Sequence, residues 1–455
     1  MKKYILNKNY WKPIAFLGML VVTILFTSCE NNDSDTGGGV ITISKVFLQD
    51  VNSSVQDREV GFGRLGQLLR IEGSGFTGLK GVYINGYSTY FNPVYVSDTS
   101  MLIRISGETP TVDAEDDVRN TIRLVNNNNE AIFSFEIRSS APSITNISNT
   151  LPLPNETITV YGTGLIEISK VVFPGNIEVS SGITIDEDGE FFTVTVPEGV
   201  SEEGGSLFIE SSNGGAYSPA YFNFKKGVIL NFDGIGELGE FGDTIREDEL
   251  QSASIGEGNV SQGNYVYHGP TGIEPFAPAT NRDSEVFTSG NESWRTQLTP
   301  YIPATTALDQ VAFQFDIFVP EPWINTGFLQ ILLINNFNGG EWSGGSYNYV
   351  PWIVDEKAEA FQTTGWTTVT IPFTDFYSFS DSDSEFTFED VLALREGATY
   401  KNFGFFFNNS DIQLSNVTGS DSDVEFLSSE TSVSVYTDNW RIVSLETPAY
   451  SDFPE

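Results

Sequence analysis

Residues 71–76 read Ile-Glu-Gly-Ser-Gly-Phe, and residues 160–165 read Val-Tyr-Gly-Thr-Gly-Leu. Each stretch is followed by a second apolar segment that ends in glycine, Val82–Gly86 in the first case and Val171–Gly175 in the second. Both pairs of segments are separated by the same displacement of 89 positions. A constant displacement of this kind indicates two copies of one structural unit.

Each copy alternates short apolar strands with Gly- and Asn-containing turns, which is the pattern of a small β-sandwich of about 100 residues. We place the copies at residues 40–139 (module 1) and 140–225 (module 2). The strand, Gly-x-Gly and strand element resembles the IPT/TIG class of immunoglobulin-like domains. That resemblance implies spacer domains, and neither module contains a tryptophan.

Residues 226–455, the C-terminal domain, differ in composition from the two modules and hold six of the seven tryptophans. In Val311–Val319 the apolar residues keep one parity while Gln314 and Asp316 take the other, as in a strand buried on one face. Helical periodicity is nearly absent. The pattern predicts one large antiparallel β-sandwich or jelly roll, so the whole chain is expected to be all-β.

Composition excludes several classes of function. The 455 residues carry 23 basic and 61 acidic side chains and a net charge of −38, so nucleic acid and anionic lipid would repel the chain. The single cysteine and single histidine exclude Cys- and His-based metal sites and a disulfide framework. Aromatic residues make up 13% of the chain and charged residues only 18%, which indicates well-packed domains rather than disorder.

The amino-terminal 28 residues read as an export signal, with four lysines before an apolar core. The sole cysteine, Cys29, follows at once and is predicted to be the lipid-modified residue of a bacterial lipoprotein. An uncleaved anchor or an ordinary signal peptide is the alternative. Residues 29–39 are polar and end in three glycines, which predicts a flexible tether.

Catalytic motifs are missing from the sequence. There is no Gly-x-Ser-x-Gly and no P-loop, and His268 has no nucleophile at motif spacing, so it is expected to be a strand-end residue. Glycosidases need only two carboxylates, which 61 acidic residues supply by number alone. The sequence therefore favours a non-enzyme, with a glycoside hydrolase as the alternative.

Three tryptophans of the C-terminal domain, Trp323, Trp342 and Trp352, lie in Gly-, Pro- or Asn-rich connections rather than in strand phase. We expect them to form an exposed platform on which sugar rings stack, the alternative being that each folds back over the core. Trp294 fits either role. Trp366 and Trp440 lie in strand-like segments, and we assign both to the core.

A metal site is suggested by Asp233, after the first strand of the C-terminal domain, and Asp438, near its last. Terminal strands of jelly-roll carbohydrate modules often share a structural calcium. Capping or turn hydrogen bonds are the alternative reading of these two carboxylates.

A lipid-modified Cys, tandem immunoglobulin-like modules, and the segments Gly-Trp-Thr-Thr-Val-Thr-Ile-Pro-Phe and Asp-Asn-Trp-Arg-Ile-Val together resemble the type B surface glycan-binding proteins of polysaccharide utilisation systems. The resemblance implies a non-catalytic, outer-membrane receptor that faces the cell exterior. It would capture polysaccharide for a neighbouring surface hydrolase and an importer, and it requires no cofactor. The aromatic platform of the family carries over onto Trp323, Tyr349 and Trp352, and Trp342 is our own addition.

The strong negative charge predicts a neutral glycan, because an anionic polymer would be repelled. We expect a β-glucan such as xyloglucan, laminarin or mixed-linkage glucan, bound by residues 226–455. A protein-binding adhesin remains a further alternative to the glycan receptor.

Overall fold

The computed structural model describes residues 39–51, 55–236, 250–251, 263–268, 285–288, 290, 292–335, 345–377, 379, 386–399, 401–415 and 422–451. The chain divides into two compact units, Met1–Arg138 and Ser139–Glu455. The predicted signal peptide, Cys29 and Trp342 lie outside the described residues. Within the described part of the chain, no helix is both long and apolar enough to cross a membrane.

Module 1 is a β-sandwich. Its described strands are β1 Thr42–Gln49, β2 Asp57–Glu59, β3 Phe62–Arg64, β4 Leu68–Ser74, β5 Gly81–Ile84, β6 Tyr87–Ser88, β7 Ser100–Arg104, β8 Thr121–Val125, β9 Glu130–Ser134 and β10 Glu136–Arg138. They form sheets in the orders β2-β1-β4-β7 and β6-β5-β8-β9, with β10 parallel to β3. Alternate residues of β4 and β8 are buried, as the period of a strand requires.

Module 2 repeats this arrangement. Its described strands are β11 Ser143–Ile147, β12 Thr157–Thr163, β13 Ile168–Phe173, β14 Ile177–Val179, β15 Thr184–Ile185, β16 Phe191–Thr195, β17 Phe208–Ser211 and β18 Gly214–Tyr217. The sheet orders are β11-β12-β16-β15 and β14-β13-β17-β18.

The repeated Gly-x-Gly has the same physical cause in both modules. A Cβ on Gly73 would collide with the carbonyl oxygen of Thr42, and a Cβ on Gly162 would collide with that of Ser143. In each case the opposite strand, β1 or β11, carries an irregularity in register close to the glycine. The second glycine of each motif has a positive φ, which a side chain would strain.

The C-terminal domain contains the two described α-helices and the remaining described strands. These are β19 Val228–Leu230, β20 Leu250–Gln251, β21 Tyr265–His268, β22 Glu285–Phe287, α1 Trp294–Leu298, β23 Val311–Phe318, β24 Phe328–Asn335, β25 Ser346–Tyr349, β26 Ile353–Val354, β27 Lys357–Ala358, β28 Thr367–Pro372, α2 Phe388–Gly397, β29 Asn402–Asn408, β30 Ile412–Gln413, β31 Glu425–Phe426 and β32 Val435–Ser444.

Two large sheets form the sandwich of this domain, in the orders β20-β21-β32-β23-β28 and β22-β29-β24-β25. β19 also pairs with β32. The main core contains Phe313, Phe315 and Ile317 of β23 together with Phe403 and Phe405 of β29. The predicted all-β architecture, with immunoglobulin-like sandwiches followed by a larger one, is confirmed.

β23 is buried on both faces, whereas its alternation predicted burial on one face only. The reason is that module 2 covers part of the outer face of this sheet, since Ala312 and Val443 belong to the core of module 2. Module 2 and the C-terminal domain therefore share buried surface within one compact unit.

A buried polar network joins the same two domains. The guanidinium of Arg441, fully buried, donates to Asp316 at 2.8 Å, to Gln314 at 3.1 Å and to the hydroxyl of Thr150 in module 2 at 2.7 Å. Asp316 neutralises the arginine, and the neutral partners take up its other donors. Each of these groups would be costly to bury alone.

Candidate functional site

The expected exposed platform does not exist at Trp323 and Trp352, since both side chains are completely buried. The backbone of Trp323 bridges to Phe361 through hydrogen bonds of 2.8 and 3.0 Å, and its ring stacks on Phe407 with centroids 5.7 Å apart. The indole N–H of Trp323 donates to Thr326 O, and that of Trp352 donates to Gly327 O at 3.0 Å. Both loops fold back, so the expectation of exposure is wrong for these two residues.

Tyr349 and Trp294 are also part of the packed interior. The ring of Tyr349 lies 6.4 Å from that of Trp323 and 5.6 Å from that of Phe315, and burial raises the pKa of its hydroxyl well above the usual range. Trp294 begins α1, is only 1% exposed, and is covered by the guanidinium of Arg395 at 4.1 Å. Trp294 presents no open ring face, whereas Tyr349 is partly buried.

The two aspartates of the predicted metal site make local hydrogen bonds. Both carboxylate oxygens of Asp233 accept the backbone N–H of Asn264, at 2.9 and 3.0 Å. Asp438 is buried and accepts the N–H of Asn439 at 2.7 Å. Across the described residues there is no cluster of three or more His, Cys, Asp or Glu side chains suited to a metal ion. A calcium site at this pair remains a prediction.

His268 is buried at a strand end, as expected. Its Nε2 lies 2.7 Å from the hydroxyl of Thr437, and burial lowers its pKa to about 3, so the ring is neutral at physiological pH. Its ring packs 5.6 Å from Phe405 in the core. These contacts indicate a structural role.

Four other aromatic side chains form a row across the outer face of the β20-β21-β32-β23-β28 sheet. Tyr267 of β21 is the register partner of Tyr436 of β32, and Tyr436 is in turn the partner of Phe318 of β23. Trp366 lies directly before β28, where Ile317 pairs with Thr367, so Trp366 continues the row opposite Phe318. We call these four residues the aromatic row.

The rings of the aromatic row contact their neighbours at moderate tilt. Centroids are 5.0 Å apart for Tyr267 and Tyr436, 6.0 Å for Tyr436 and Phe318, and 5.9 Å for Phe318 and Trp366. The corresponding interplanar angles are 32°, 27° and 37°. Four side chains in cross-strand register thus make one continuous apolar strip.

The aromatic row is partly exposed and packs against a buried tyrosine. Tyr267, Tyr436 and Trp366 are half-buried, whereas Phe318 is 3% exposed. Tyr265, completely buried, contacts the rings of Trp366 and Tyr436 edge-on, with centroids at 5.2 and 6.0 Å. Partial burial raises the pKa of Tyr436, and Tyr267 adds to that effect. The hydroxyl of Tyr436 is therefore neutral at physiological pH.

Sequence reasoning missed this strip and assigned Trp366 to the core. A usable signal was present on β23, where Phe318 has the parity of Gln314 and Asp316 rather than that of the core residues. An aromatic residue in the polar phase of a strand indicates a ring on the outer face. That signal becomes informative only when the neighbouring strands are known.

The remaining part of the same face is covered. Gln314 and Arg441 form hydrogen bonds with Thr150 of module 2 there, and Asp316 accepts from Arg441. The aromatic row is therefore the part of this face that carries half-exposed aromatic rings beside the domain contact. Such rings can stack on the apolar faces of flat ligands.

Comparison with known proteins gives a family for this domain. Residues 222–444 match the family model described as surface glycan-binding protein B xyloglucan binding domain. An IPT/TIG domain-containing protein of Bacteroides ovatus is 26% identical over 229 residues, which are 48% of this chain and 46% of that relative. The match thus spans less than half the length of that curated relative.

A solved structure shows the same fold. The crystal structure of surface glycan-binding protein PbSGBP-B from Prevotella bryantii has a TM-score of 0.63 and 17% identity, and the match covers 90% of this chain and all of that one. SGBP-B from a complex xyloglucan utilization locus in Bacteroides uniformis matches over 89% of this chain and all of its own, with 17% identity and a TM-score of 0.46.

Proposed function

On the premise that residues 222–444 belong to the surface glycan-binding protein B xyloglucan-binding domain family, we propose that this chain captures polysaccharide at the cell surface without cleaving it. The resemblance to type B surface glycan-binding proteins that the sequence suggested is confirmed by this match. The family match to the C-terminal domain is the observation that carries the proposal. A half-exposed aromatic strip on an antiparallel sheet is the kind of surface that such binding needs.

The proposed ligand is a neutral β-glucan, with xyloglucan, laminarin and mixed-linkage glucan as candidates. The name of the matching family model supports xyloglucan. Charge supports neutrality, because a chain with a net charge of −38 repels polyanions at low ionic strength. No metal or other cofactor is part of the proposal.

The proposed location is the outer membrane, with the protein held by lipid on Cys29 and facing outward. The export signal before this residue and the polar tether after it support that location. A surface glycoside hydrolase and an importer that accept the captured polymer are the proposed partners. Removing residues 1–28, which hold four lysines and no acidic residue, would take the net charge of −38 to −42.

The proposal is tested with purified residues 30–455 and a panel of soluble polysaccharides. Native affinity electrophoresis measures binding, and a reducing-sugar assay on the same mixtures measures cleavage. We expect retardation in a neutral β-glucan gel and no new reducing ends. New reducing ends would favour the hydrolase alternative, and absence of binding to every glycan would favour an adhesin for protein.

A further inference from the structure

We infer that the aromatic row is the binding surface of the C-terminal domain and that the polysaccharide lies across the strands, from Tyr267 to Trp366. This inference rests on the proposed function and adds to it a location, a direction and a length for the ligand. It also moves the site away from the loop tryptophans that the sequence suggested.

The direction follows from register. Tyr267, Tyr436 and Phe318 are direct cross-strand partners on β21, β32 and β23, and Trp366 extends the line to β28. The strip therefore runs perpendicular to the strands, and with strands about 4.8 Å apart it extends about 14 Å. An extended polymer that contacts Tyr267, Tyr436 and Trp366 must follow this line.

The ends of the strip limit its length. Beside Trp366, the hydroxyl of Thr367 and the backbone N–H of Thr368 both donate to Ser148 O of module 2, each at 2.7 Å. Module 2 therefore fixes the chain immediately after Trp366. At the opposite end Tyr267 lies on β21, whose next neighbour in the sheet is the short strand β20.

The exposed chemistry of the strip favours sugar stacking over recognition by hydrogen bonds alone. The indole N–H of Trp366 is buried and has no hydrogen-bond partner among the described residues, so the apolar part of this ring is what reaches solvent. Glu321, an exposed acid, acts electrostatically on the hydroxyl of Tyr436. An apolar strip on a chain with a net charge of −38 suits an uncharged sugar chain and disfavours a uronate polymer.

The test is isothermal calorimetry on residues 30–455 with oligosaccharides of the retarded β-glucan, in a series of increasing length. Tyr267→Ala and Trp366→Ala are the site variants. Tyr377→Ala is the matched control, because Tyr377 is an exposed tyrosine of the same domain outside the row. A melting curve for each variant shows that the titrated protein is folded.

We expect each site variant to bind about three- to tenfold more weakly and the double variant to lose measurable binding, while the control keeps wild-type affinity. Affinity of the wild type should rise with oligosaccharide length until the chain spans the row and then level off. If the folded double variant binds like wild type, the row is not the site, although the proposed function would stand. If wild type itself binds no glycan, the proposed function fails first.

Discussion

At the scale of single residues, His268 offers a clean test of burial because it is the only histidine. Its pKa is about 3 in the folded state and about 6.5 in the unfolded chain. The unfolded state therefore binds more protons between these values, and stability falls as pH falls through that window. We expect wild type to lose about 2 kcal/mol more than His268→Gln between pH 7.5 and 5.0, measured by denaturant unfolding.

The control is the difference in unfolding free energy between wild type and His268→Gln at pH 7.5 to 9. Because His268 is neutral in both the folded and the unfolded state there, this difference should be constant. Equal losses of stability in wild type and variant on acidification would mean that His268 becomes charged in the folded protein. The burial described for it would then be wrong.

Trp352 and Trp366 should respond in opposite ways to truncation. Trp352 is completely buried and its N–H donates to Gly327 O, so Trp352→Ala should cost about 3–5 kcal/mol of stability. Trp366 is half-buried, so Trp366→Ala should cost less stability and more glycan affinity. Chemical denaturation paired with calorimetry checks both. If Trp352→Ala is fully stable but loses glycan affinity, Trp352 contacts glycan, as the sequence suggested.

The two tryptophans also show what sequence could not provide. A loop tryptophan such as Trp352 looks exposed from its Gly- and Pro-rich surroundings, yet a long loop can fold back and bury its ring. Trp366 looks structural from its strand-like surroundings, yet its exposure depends on how much of the sheet module 2 covers. The burial of Trp352 is set by tertiary contacts with residues such as Gly327 and Phe426, and the surroundings of Trp366 by contacts with module 2 more than a hundred positions away in sequence.

At the scale of elements, the repeated Gly-x-Gly could be recognised from the sequence as part of a repeated unit. Gly73 faces the carbonyl of Thr42 so closely that a Cβ has no room, whereas Gly107 of the same module has open space and no positive φ. Gly73→Ala should destabilise module 1 by about 1–3 kcal/mol. Gly107→Ala is the matched control and should be neutral or slightly stabilising. Equal melting temperatures for the two variants would contradict the close approach.

In strand β23 the alternating sequence pattern predicts the burial of one face but not of the other. Its alternation correctly gives the core face, with Phe313, Phe315 and Ile317. The opposite face was expected in solvent, but Gln314 and Asp316 are buried under module 2 together with Arg441. Polar residues in alternate positions are equally consistent with water and with a satisfied buried network, and sequence alone does not distinguish these two environments.

At the scale of the whole molecule, the smallest stable binding fragment should include module 2. Cutting at residue 226 would expose Ala312 and Val443 and leave the buried Arg441 without Thr150. We expect residues 139–455 to fold and bind like residues 30–455, and residues 226–455 to melt at a markedly lower temperature. Differential scanning calorimetry compares the three fragments. A fully stable fragment 226–455 would show that module 2 is a mere spacer.

Hydroxyl-radical footprinting of residues 30–455, with and without the retarded β-glucan, tests whether neutral glycan rests on the aromatic row. Oxidation of Tyr267, Tyr436 and Trp366 should fall when glycan is present. Trp323 and Trp352 should react little in either state because they are buried, and Tyr90 of module 1, which is 82% exposed, should react equally in both. If glycan instead protects Tyr90 or Trp342 and leaves the oxidation of the aromatic row unchanged, the row is not where the glycan binds.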